Sequence, residues 1–435
     1  MPVYQDIVRG NEPTLLVEIA FDEDPYVTDL TSVTWYDVTR HVRSVSTRAS
    51  GRNFQTDSMQ AGVANIVLDN REYDYDPTYT GSPYYDTANS KTKLRAGKLV
   101  RIAIEWGGGT SYLFTGFTGN FKMSFPGSGR DSICQVPCLD ATVMFARRSF
   151  SSTDKFLSEQ LTSDRYVAVL DAIGWPGTGL KVSAGWRNIS GGYSTCGIEN
   201  EGDLDGTNVL SYLKDIEKTE QGTGYIAPNG EWTFHYRRYR VDNSTVPVAT
   251  FGGVGGLPHR GFSIDNSNER VFNRISARRK FSPLDILVTD STSITENSEL
   301  ELQISGLLQP DDNDGYNDAR SVASSMLRKY KDPVPEIRKL SAHFIPGNSD
   351  MTSALLTTSV GDRIRVIRRR HDGSEIDLDF YVEGIEHNIG SDISSWSSSF
   401  VLSGVRGAVT GWLVSNASTG EFAENAWVGQ NVVGF

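Results

Sequence analysis

Two stretches of similar sequence, one near each end of the chain, both predict a β-hairpin. They cover residues 94–102 with 114–117, and residues 359–366 with 381–385. In each copy a glycine-led turn precedes a strand that alternates apolar residues with arginine, which is the pattern of a strand with one buried face. The alignment matches three pairs of residues: Gly97 with Gly361, Arg101 with Arg365, and Gly116 with Gly384. The two glycines lie farther apart in the second copy, which predicts a longer hairpin there.

This repeat has two interpretations. Period-2 strands around a turn are common, so two unrelated hairpins can share the pattern by chance. A true duplication instead places two related β domains in one chain, and three such chains would supply the six positions of a ring.

Composition favours a β-rich globular protein. The 435 residues include 42 glycines and 6 methionines, with 38% hydrophobic and 22% charged residues. This balance is more typical of turn-rich β proteins than of helical bundles, and the length is sufficient for about two to four domains. The net charge of −12 argues against a protein that wraps duplex DNA by neutralising phosphates. DNA can still slide through an acidic passage without being held.

The pattern along the chain predicts mainly β structure with an α+β insert. Residues 1–150 are predicted to form a first β sandwich or barrel, and residues 151–245 a small α+β domain. Residues 246–406 are predicted to form a second β domain with a helix near 316–331. Residues 407–435 have no clear period, so we expect a C-terminal tail that docks on another surface.

No residues mark a metal site, a cofactor site or a catalytic centre. Three cysteines are odd in number, and a proline interrupts the closest pair, so we expect reduced, buried thiols without metal: Cys134, Cys138 and Cys196. Six histidines are dispersed and form no paired zinc motif: His41, His235, His259, His343, His371 and His387. No serine lies in a Gly-x-Ser-x-Gly motif, and no pair of the 54 acidic residues stands out as catalytic.

Two segments resemble ligand loops but lack the required residues. Residues 311–318 fail as a calcium loop because Pro310 and Ser321 would occupy the terminal ligand positions, so we expect the acidic start of a helix. Residues 252–256 are rich in glycine, but they lack the lysine and the βαβ context of a phosphate loop. We expect a flexible loop there.

The basic run 363–370 is predicted to lie in the second hairpin rather than in an anion site. A two-residue turn at residues 372–373 would place Arg370 opposite Glu375 and Arg368 opposite Asp377. Opposite charges across a hairpin are ordinary cross-strand stabilisation, worth about 0.2–1 kcal/mol each.

No targeting or membrane segment is apparent. No apolar run approaches the roughly 18 residues that cross a bilayer. Residues 1–11 lack the apolar block of a secretory signal. Together with the odd number of cysteines, this predicts assembly in a reducing cytoplasm.

The order of several motifs resembles minor tail proteins of long-tailed actinobacterial phages. The N-terminal similarity covers residues 51–52, 62–70, 76–77, 82–84, 97–102 and 114–116. Residues 209–234 are similar to the middle domain of phage tail hub proteins, where a helix precedes an aromatic hairpin with an Asn-Gly turn. Their C-terminal half is similar to residues 319–333, 360–362 and 382–387.

The resemblance implies two β domains like those of tail-tube subunits and a homotrimer that forms a pseudo-hexameric ring. Such a tail-tip or baseplate hub would end the tail tube, adapt six-fold to three-fold symmetry and provide the conduit for phage DNA. Its implied partners are the distal tail protein ring, the tape-measure protein and downstream tip, fibre or receptor-binding proteins. The implied location is the tail tip of the virion, after assembly in the host cytoplasm. Some relatives carry a fused hydrolase, but we expect no enzyme domain here, because the sequence ends soon after the second hairpin.

Two alternatives remain. The 8 tryptophans and 18 tyrosines would suit a virion-associated glycan-binding or cell-wall-degrading protein, although aromatic residues in sheets more often form the core. The other alternative is a distal tail protein that forms a hexameric ring. The repeated hairpin argues against it, because a hexamer needs only one β domain per chain.

Overall fold

A sheet of 13 strands dominates the structure and contains strands from both ends of the described chain. The structure is a computed structural model that describes residues 12–26, 33–126, 131–175, 187–265 and 268–405. The expected features of residues 1–11 and 407–435 lie outside these ranges. The mainly β fold is confirmed, and seven α-helices accompany the strands within the described residues. None of these helices is long and apolar enough to cross a membrane.

Ten strands, which we call the first β unit, form the N-terminal part. They are β1 (Thr14–Ile19), β2 (Tyr36–Asp37), β3 (Val42–Arg48), β4 (Val63–Asp69), β5 (Tyr85–Asp86), β6 (Lys91–Thr92), β7 (Leu99–Trp106), β8 (Gly109–Thr118), β9 (Lys122–Ser124) and β10 (Ile133–Leu139). The period-2 pattern explains the extended backbone of β4, since Ala64, Ile66 and Leu68 are buried while the residues between them are half-buried. Such alternation packs one face of the sheet on the core.

The middle of the chain forms an α+β unit. Its elements are α1 (Thr142–Ala146), β11 (Gln160–Leu161), α2 (Thr162–Ala172), β12 (Arg187–Ile189), β13 (Thr195–Cys196), α3 (Val209–Glu220), β14 (Thr223–Ile226), β15 (Trp232–His235) and α4 (Tyr239–Asn243). The Asn208 side chain caps α3 by accepting a hydrogen bond from the Ser211 amide. Helices α2 and α3 share a hydrophobic core with the β14–β15 hairpin, and Trp232 and Phe234 are buried in it.

The C-terminal part alternates between two sheets. Its elements are β16 (Ala249–Gly252), β17 (Ile264–Asp265), β18 (Arg274–Arg279), β19 (Asp285–Thr289), α5 (Ser291–Asn297), β20 (Glu301–Leu307), α6 (Asn313–Tyr330), β21 (Glu336–Ile337), β22 (Lys339–His343), α7 (Ser349–Thr357), β23 (Arg363–Arg369), β24 (Glu375–Ile389) and β25 (Ser397–Gly404). We call β16, β17 and β21–β25 the second β unit. Strands β18–β20 form a separate three-stranded sheet that packs on α6 around its own small core, and with α5 and α6 they form what we call the inserted unit.

The two hairpins of the sequence repeat occupy the same place in the same four-strand arrangement. The sheet order is β7–β8–β10–β4 in the first β unit and β23–β24–β25–β22 in the second, and the chain visits these strands in the same order both times. Gly97 (φ 86°) and Gly361 (φ 97°) each precede the hairpin in the left-handed conformation. Their amides donate to the carbonyls of Thr118 (2.6 Å) and Val382 (2.7 Å). The sequence repeat therefore corresponds to a repeated topology.

The alignment of Gly116 with Gly384 is wrong, and so is the expected difference in hairpin length. Gly97 to Thr118 spans as many residues as Gly361 to Val382, so the hairpins are equally long. Gly116 lies inside the first hairpin, where a larger side chain would collide with the Leu139 carbonyl. Gly384 lies beyond the second hairpin, next to a bulge that follows Val382. The two glycines thus meet different local requirements.

Strand β24 joins the two β units edge to edge. Its first half pairs with β23, and its last residues pair with β3, with Glu386 opposite Arg48 and Ile389 opposite Val45. Val45 and Ile389 are each only 2% exposed. The largest hydrophobic core extends across this junction, so both β units share one sheet and one core.

Candidate functional site

A buried group of charged side chains lies at the junction between the β units. The Glu383 carboxylate accepts hydrogen bonds from Arg52 Nε (2.7 Å), from both terminal nitrogens of Arg240 (2.5 and 2.8 Å) and from the Ser403 hydroxyl (2.5 Å). Glu383 is fully buried, and Arg240 binds both of its carboxylate oxygens. We call these four residues the Glu383 cluster.

The electrostatics of the cluster keep Glu383 ionised. Burial raises the pKa of Glu383, but the positive charges of Arg240 and Arg52 outweigh burial and hold the pKa well below its usual range. A buried carboxylate is tolerated only when it is paired and hydrogen-bonded. The pairing of this carboxylate therefore depends on two arginines from other parts of the chain.

The cluster connects three parts of the molecule. Arg52 lies in the loop that follows β3, Arg240 lies on α4, and Glu383 and Ser403 lie in the second β unit. Gln55 extends the connection, because its side-chain amide donates to Ser403 Oγ (2.8 Å) and its carbonyl oxygen accepts from the Tyr330 hydroxyl of α6 (3.1 Å). The arrangement fixes the relative positions of both β units, the α+β unit and α6.

A cleft of about 300 Å³ opens beside the cluster. Its lining includes six basic residues: Arg52, Lys214, Lys218, Arg237, Arg240 and Lys329. Carboxylates of the same chain engage Lys214, Lys218 and Arg237, with nitrogen–oxygen distances of 2.9–3.1 Å. Arg52 and Arg240 are bound to Glu383. Five of these six basic residues thus form ion pairs within the chain.

A second buried carboxylate connects the α+β unit to α6. Glu220 accepts hydrogen bonds from the Thr162 hydroxyl (2.7 Å), the Ser194 amide (2.9 Å) and Arg237 Nε (3.1 Å). The Ser194 hydroxyl in turn donates to Asp318 of α6 at 2.6 Å. Glu220 is therefore linked to α6 through Ser194.

All three cysteines are buried and carry free thiols. Burial raises the pKa of Cys134 and of Cys196 to about 12, which keeps these thiols protonated and unreactive. Cys134 and Cys138 lie four residues apart on β10. At about 3.4 Å per residue their Cα atoms are roughly 14 Å apart, which is too far for a disulfide. Their metal-free state in solution stays a prediction.

The described histidines lie in different surroundings. His41 hydrogen-bonds to the Tyr75 hydroxyl, His235 stacks on Tyr239, and His387 hydrogen-bonds to the Ser398 hydroxyl. Burial and, for His235, the nearby Arg240 charge lower the pKa of His235 and of His387 to about 4, so both are neutral at pH 7. Within the described ranges no group of three or more His, Cys, Asp or Glu side chains is placed to hold a metal ion.

The acidic stretch 311–318 begins a helix, as the sequence predicts. Asp312 is the N-cap residue of α6, and its side chain accepts a hydrogen bond from the Gly315 amide at 2.7 Å. An aspartate at this position satisfies a helix amide and interacts favourably with the helix dipole. The stretch has a structural explanation that needs no bound cation.

The predicted register of the second hairpin is wrong by one residue. Arg369, not Arg370, lies opposite Glu375, and Arg368 lies opposite Ile376. The loop has three residues, because the Arg370 amide donates to the Ser374 carbonyl (2.8 Å) around Gly373 in the left-handed conformation. Two arginines of β23, Arg363 and Arg365, are nevertheless paired across the hairpin, since both bind Asp379.

No sequence motif marks the residues of the Glu383 cluster. The available signal is a lone acid inside the apolar stretch 380–385, where every residue is buried. An acid in such a position requires a partner, but the sequence does not show that Arg52 and Arg240 supply it. These partners lie 331 and 143 residues away along the chain.

Two solved structures of tail proteins share the fold of this chain. The tail protein from Neisseria meningitidis MC58 is 12% identical, with a TM-score of 0.54, and the match covers 90% of this chain and 96% of that one. The 43 kDa tail protein of prophage MuSo2 from Shewanella oneidensis is also 12% identical, with a TM-score of 0.51 and coverage of 90% and 98%. No protein-family model and no curated protein matches the sequence. At this identity the likeness shows a common fold over nearly the full length of each protein.

Proposed function

We propose that this chain is a structural virion protein, the hub at the tail tip of a long-tailed actinobacterial phage. The observation that carries the proposal is the repeated four-strand arrangement, present twice in one chain that has the fold of two tail proteins. A chain with two equivalent β units offers two positions in a ring. Three chains then offer six, which matches a six-fold tail tube.

In this proposal the homotrimer forms a pseudo-hexameric ring that ends the tube and adapts six-fold to three-fold symmetry. The neighbours above are the distal tail protein ring and the tape-measure protein, and those below are fibre or receptor-binding proteins. Phage DNA passes through the ring during ejection. The net charge of −12 supports passage without retention, because an acidic protein surface repels phosphates.

The proposed role is architectural rather than enzymatic. The buried carboxylates of Glu220 and Glu383 form ion pairs within the chain, with Arg237 and with Arg52 respectively. The side chains of Trp175, Trp232 and Trp396 are at most 5% exposed, so these three tryptophans belong to the core. We therefore expect the purified chain to release no soluble fragments from host cell walls.

The test is the copy number and symmetry of this protein in intact tails. Cryo-electron microscopy of the phage is expected to show three copies at the tip, with both β units alternating around one channel. The tail-tube subunit in the same particles, present as six copies per ring, provides the internal reference. Six copies of this chain per tail, or a channel lined by only one of its β units, would contradict the hub proposal.

A further inference from the structure

Among the described residues, β9 of the first β unit has an unpaired edge. The corresponding edge of the second β unit is the last part of β24, which pairs with β3. In the first β unit, β10 pairs with β8 and then with β9, and the register shifts between these two strands. In the second, β25 pairs with the two halves of β24, and the register shifts at the bulge between them. In this correspondence Lys122, Met123 and Ser124 of β9 occupy the places of Glu386, His387 and Asn388. Those β24 residues pair with β3.

A second open edge corresponds to β3. In the first β unit, β3 runs antiparallel along β4. In the second, residues 260–265 run antiparallel along β21 and β22, because Ile264 lies opposite Ile337 and the Arg260 amide donates to the Ser341 carbonyl at 2.8 Å. Residues 261–264 therefore occupy the places of residues 45–48. We call them the 261–264 edge.

Both edges are exposed, whereas their counterparts are buried. In the part of the chain that the structure describes, β9 pairs only with β10, and β17 only with β21. Phe125, which follows β9, is 59% exposed and Ile264 is 39% exposed, while Val45 and Ile389 at the internal junction are 2% exposed. An open strand edge with apolar side chains is suited to pairing with another chain.

We propose that β9 of one copy pairs with the 261–264 edge of a second copy, in the register that β24 and β3 use inside the chain. This inference rests on the proposed ring and names the contact that closes it. Lys122 then lies opposite Ile264, Met123 opposite Ser263, and Phe125 opposite Gly261. A large aromatic side chain beside a glycine fills the space that the glycine leaves across the strands.

The contact between chains differs from the internal junction in one respect. The bulge of β24 holds Glu383, whereas the corresponding position before β9 is Gly119. The contact between chains therefore has no equivalent of the buried carboxylate that binds Arg52 and Arg240. Without this ion-pair cluster the contact is weaker than the internal junction, which allows separate chains to fold before the ring closes.

The test is disulfide cross-linking of the full-length chain under mild oxidation. Two double variants place cysteines at opposed positions: Met123→Cys with Ser263→Cys, and Lys122→Cys with Ile264→Cys. Opposed residues in an antiparallel pair have Cα atoms about 4.5–5.5 Å apart, which is within the range of a disulfide. Hydrogen-bonded and non-hydrogen-bonded pairs alternate along the strands and differ in this distance, so both double variants are made. We expect covalent species of two and three chains from at least one pair.

The matched control is Lys122→Cys with Ser263→Cys. A shift of one residue directs the two side chains to opposite faces of the sheet, so this pair is expected to cross-link at least ten times less. The wild-type chain is a second control, because its three cysteines are buried. Equal cross-linking of the control pair, cross-links within one chain, or no covalent species from either opposed pair would overturn the proposed contact.

The same experiment separates this contact from the trimer. A cross-linked ladder that continues past three chains would support the contact but contradict the trimeric ring. A trimeric native mass without cross-links from either opposed pair would contradict the contact and leave the trimer standing.

Discussion

At the scale of single residues, Glu383 shows how an irregularity in a strand creates a specific contact. A bulge adds a residue to one strand and re-aims the side chains around it, and the bulge between Val382 and Gly384 places Glu383 among Arg52, Arg240 and Ser403. The hydrogen bonds from Arg52 and Arg240 join Glu383 to other parts of the chain, whereas Ser403 belongs to the same β unit. The cluster therefore specifies how the parts fit together more than it stabilises any one of them.

Removal of the charge at this residue tests its importance. In the variant Glu383→Gln, two partly buried guanidinium groups lose their counter-ion, and a broken buried pair typically costs about 3–5 kcal/mol of unfolding free energy. Urea unfolding at pH 7 measures the difference from the wild type. The matched control is Glu201→Gln, since Glu201 forms an exposed pair with Lys155 and such pairs contribute about 0–1 kcal/mol. A loss for Glu383→Gln no larger than that of the control would show that the cluster is not needed for stability.

At the scale of elements, the sequence predicts individual hairpins and helices, but it does not predict strand register or the arrangement of strands in the sheets. The two hairpins, the helix α6 and its acidic N-terminus follow from periodicity and capping residues near each other in the chain. The register of β23 and β24 cannot be predicted in this way, because a two-residue and a three-residue loop both fit the same Asp-Gly sequence. The two loops give registers that differ by one residue. The inserted unit was also not separated from the second β domain, since its strands have the same pattern as those that flank it.

Left-handed glycines at the start of both hairpins provide a test at this scale. The variant Gly361→Ala is expected to lose about 1–2 kcal/mol of unfolding free energy, because alanine is strained at positive φ. A Cβ at Gly361 has no atom closer than 3.9 Å, whereas one at Gly97 approaches Pro25 to 3.0 Å, so Gly97→Ala is expected to lose more. The control Gly191→Ala has open space and no positive φ, and it should change stability little. Urea unfolding of the three variants ranks their losses of unfolding free energy. Equal losses in all three would show that positive φ at Gly97 and Gly361 does not determine the effect.

At the scale of the whole molecule, two corresponding pairs of strand edges differ: one pair is joined within the chain, and the other is exposed. Strands β24 and β3 join the two β units within the chain, whereas β9 and residues 260–265 leave the equivalent edges exposed. The sequence repeat predicted two related β units, but it did not show which edges are open. That distinction depends on long-range pairing between residues about 340 positions apart, which no local pattern records.

The exposed Phe125 tests this difference between closed and open edges. The variant Phe125→Asp replaces the apolar aromatic side chain of the proposed contact with a charge, so we expect the chain to remain monomeric under conditions in which the wild type forms trimers. Sedimentation velocity over a range of concentrations measures the difference. Its unfolding free energy should change by no more than about 0.5 kcal/mol, because the side chain is 59% exposed in the single chain. The matched control is Leu157→Asp, at a site that is 62% exposed and belongs to neither edge, and this variant should assemble like the wild type. Normal assembly of Phe125→Asp, or loss of assembly in both variants, would contradict a ring closed through β9.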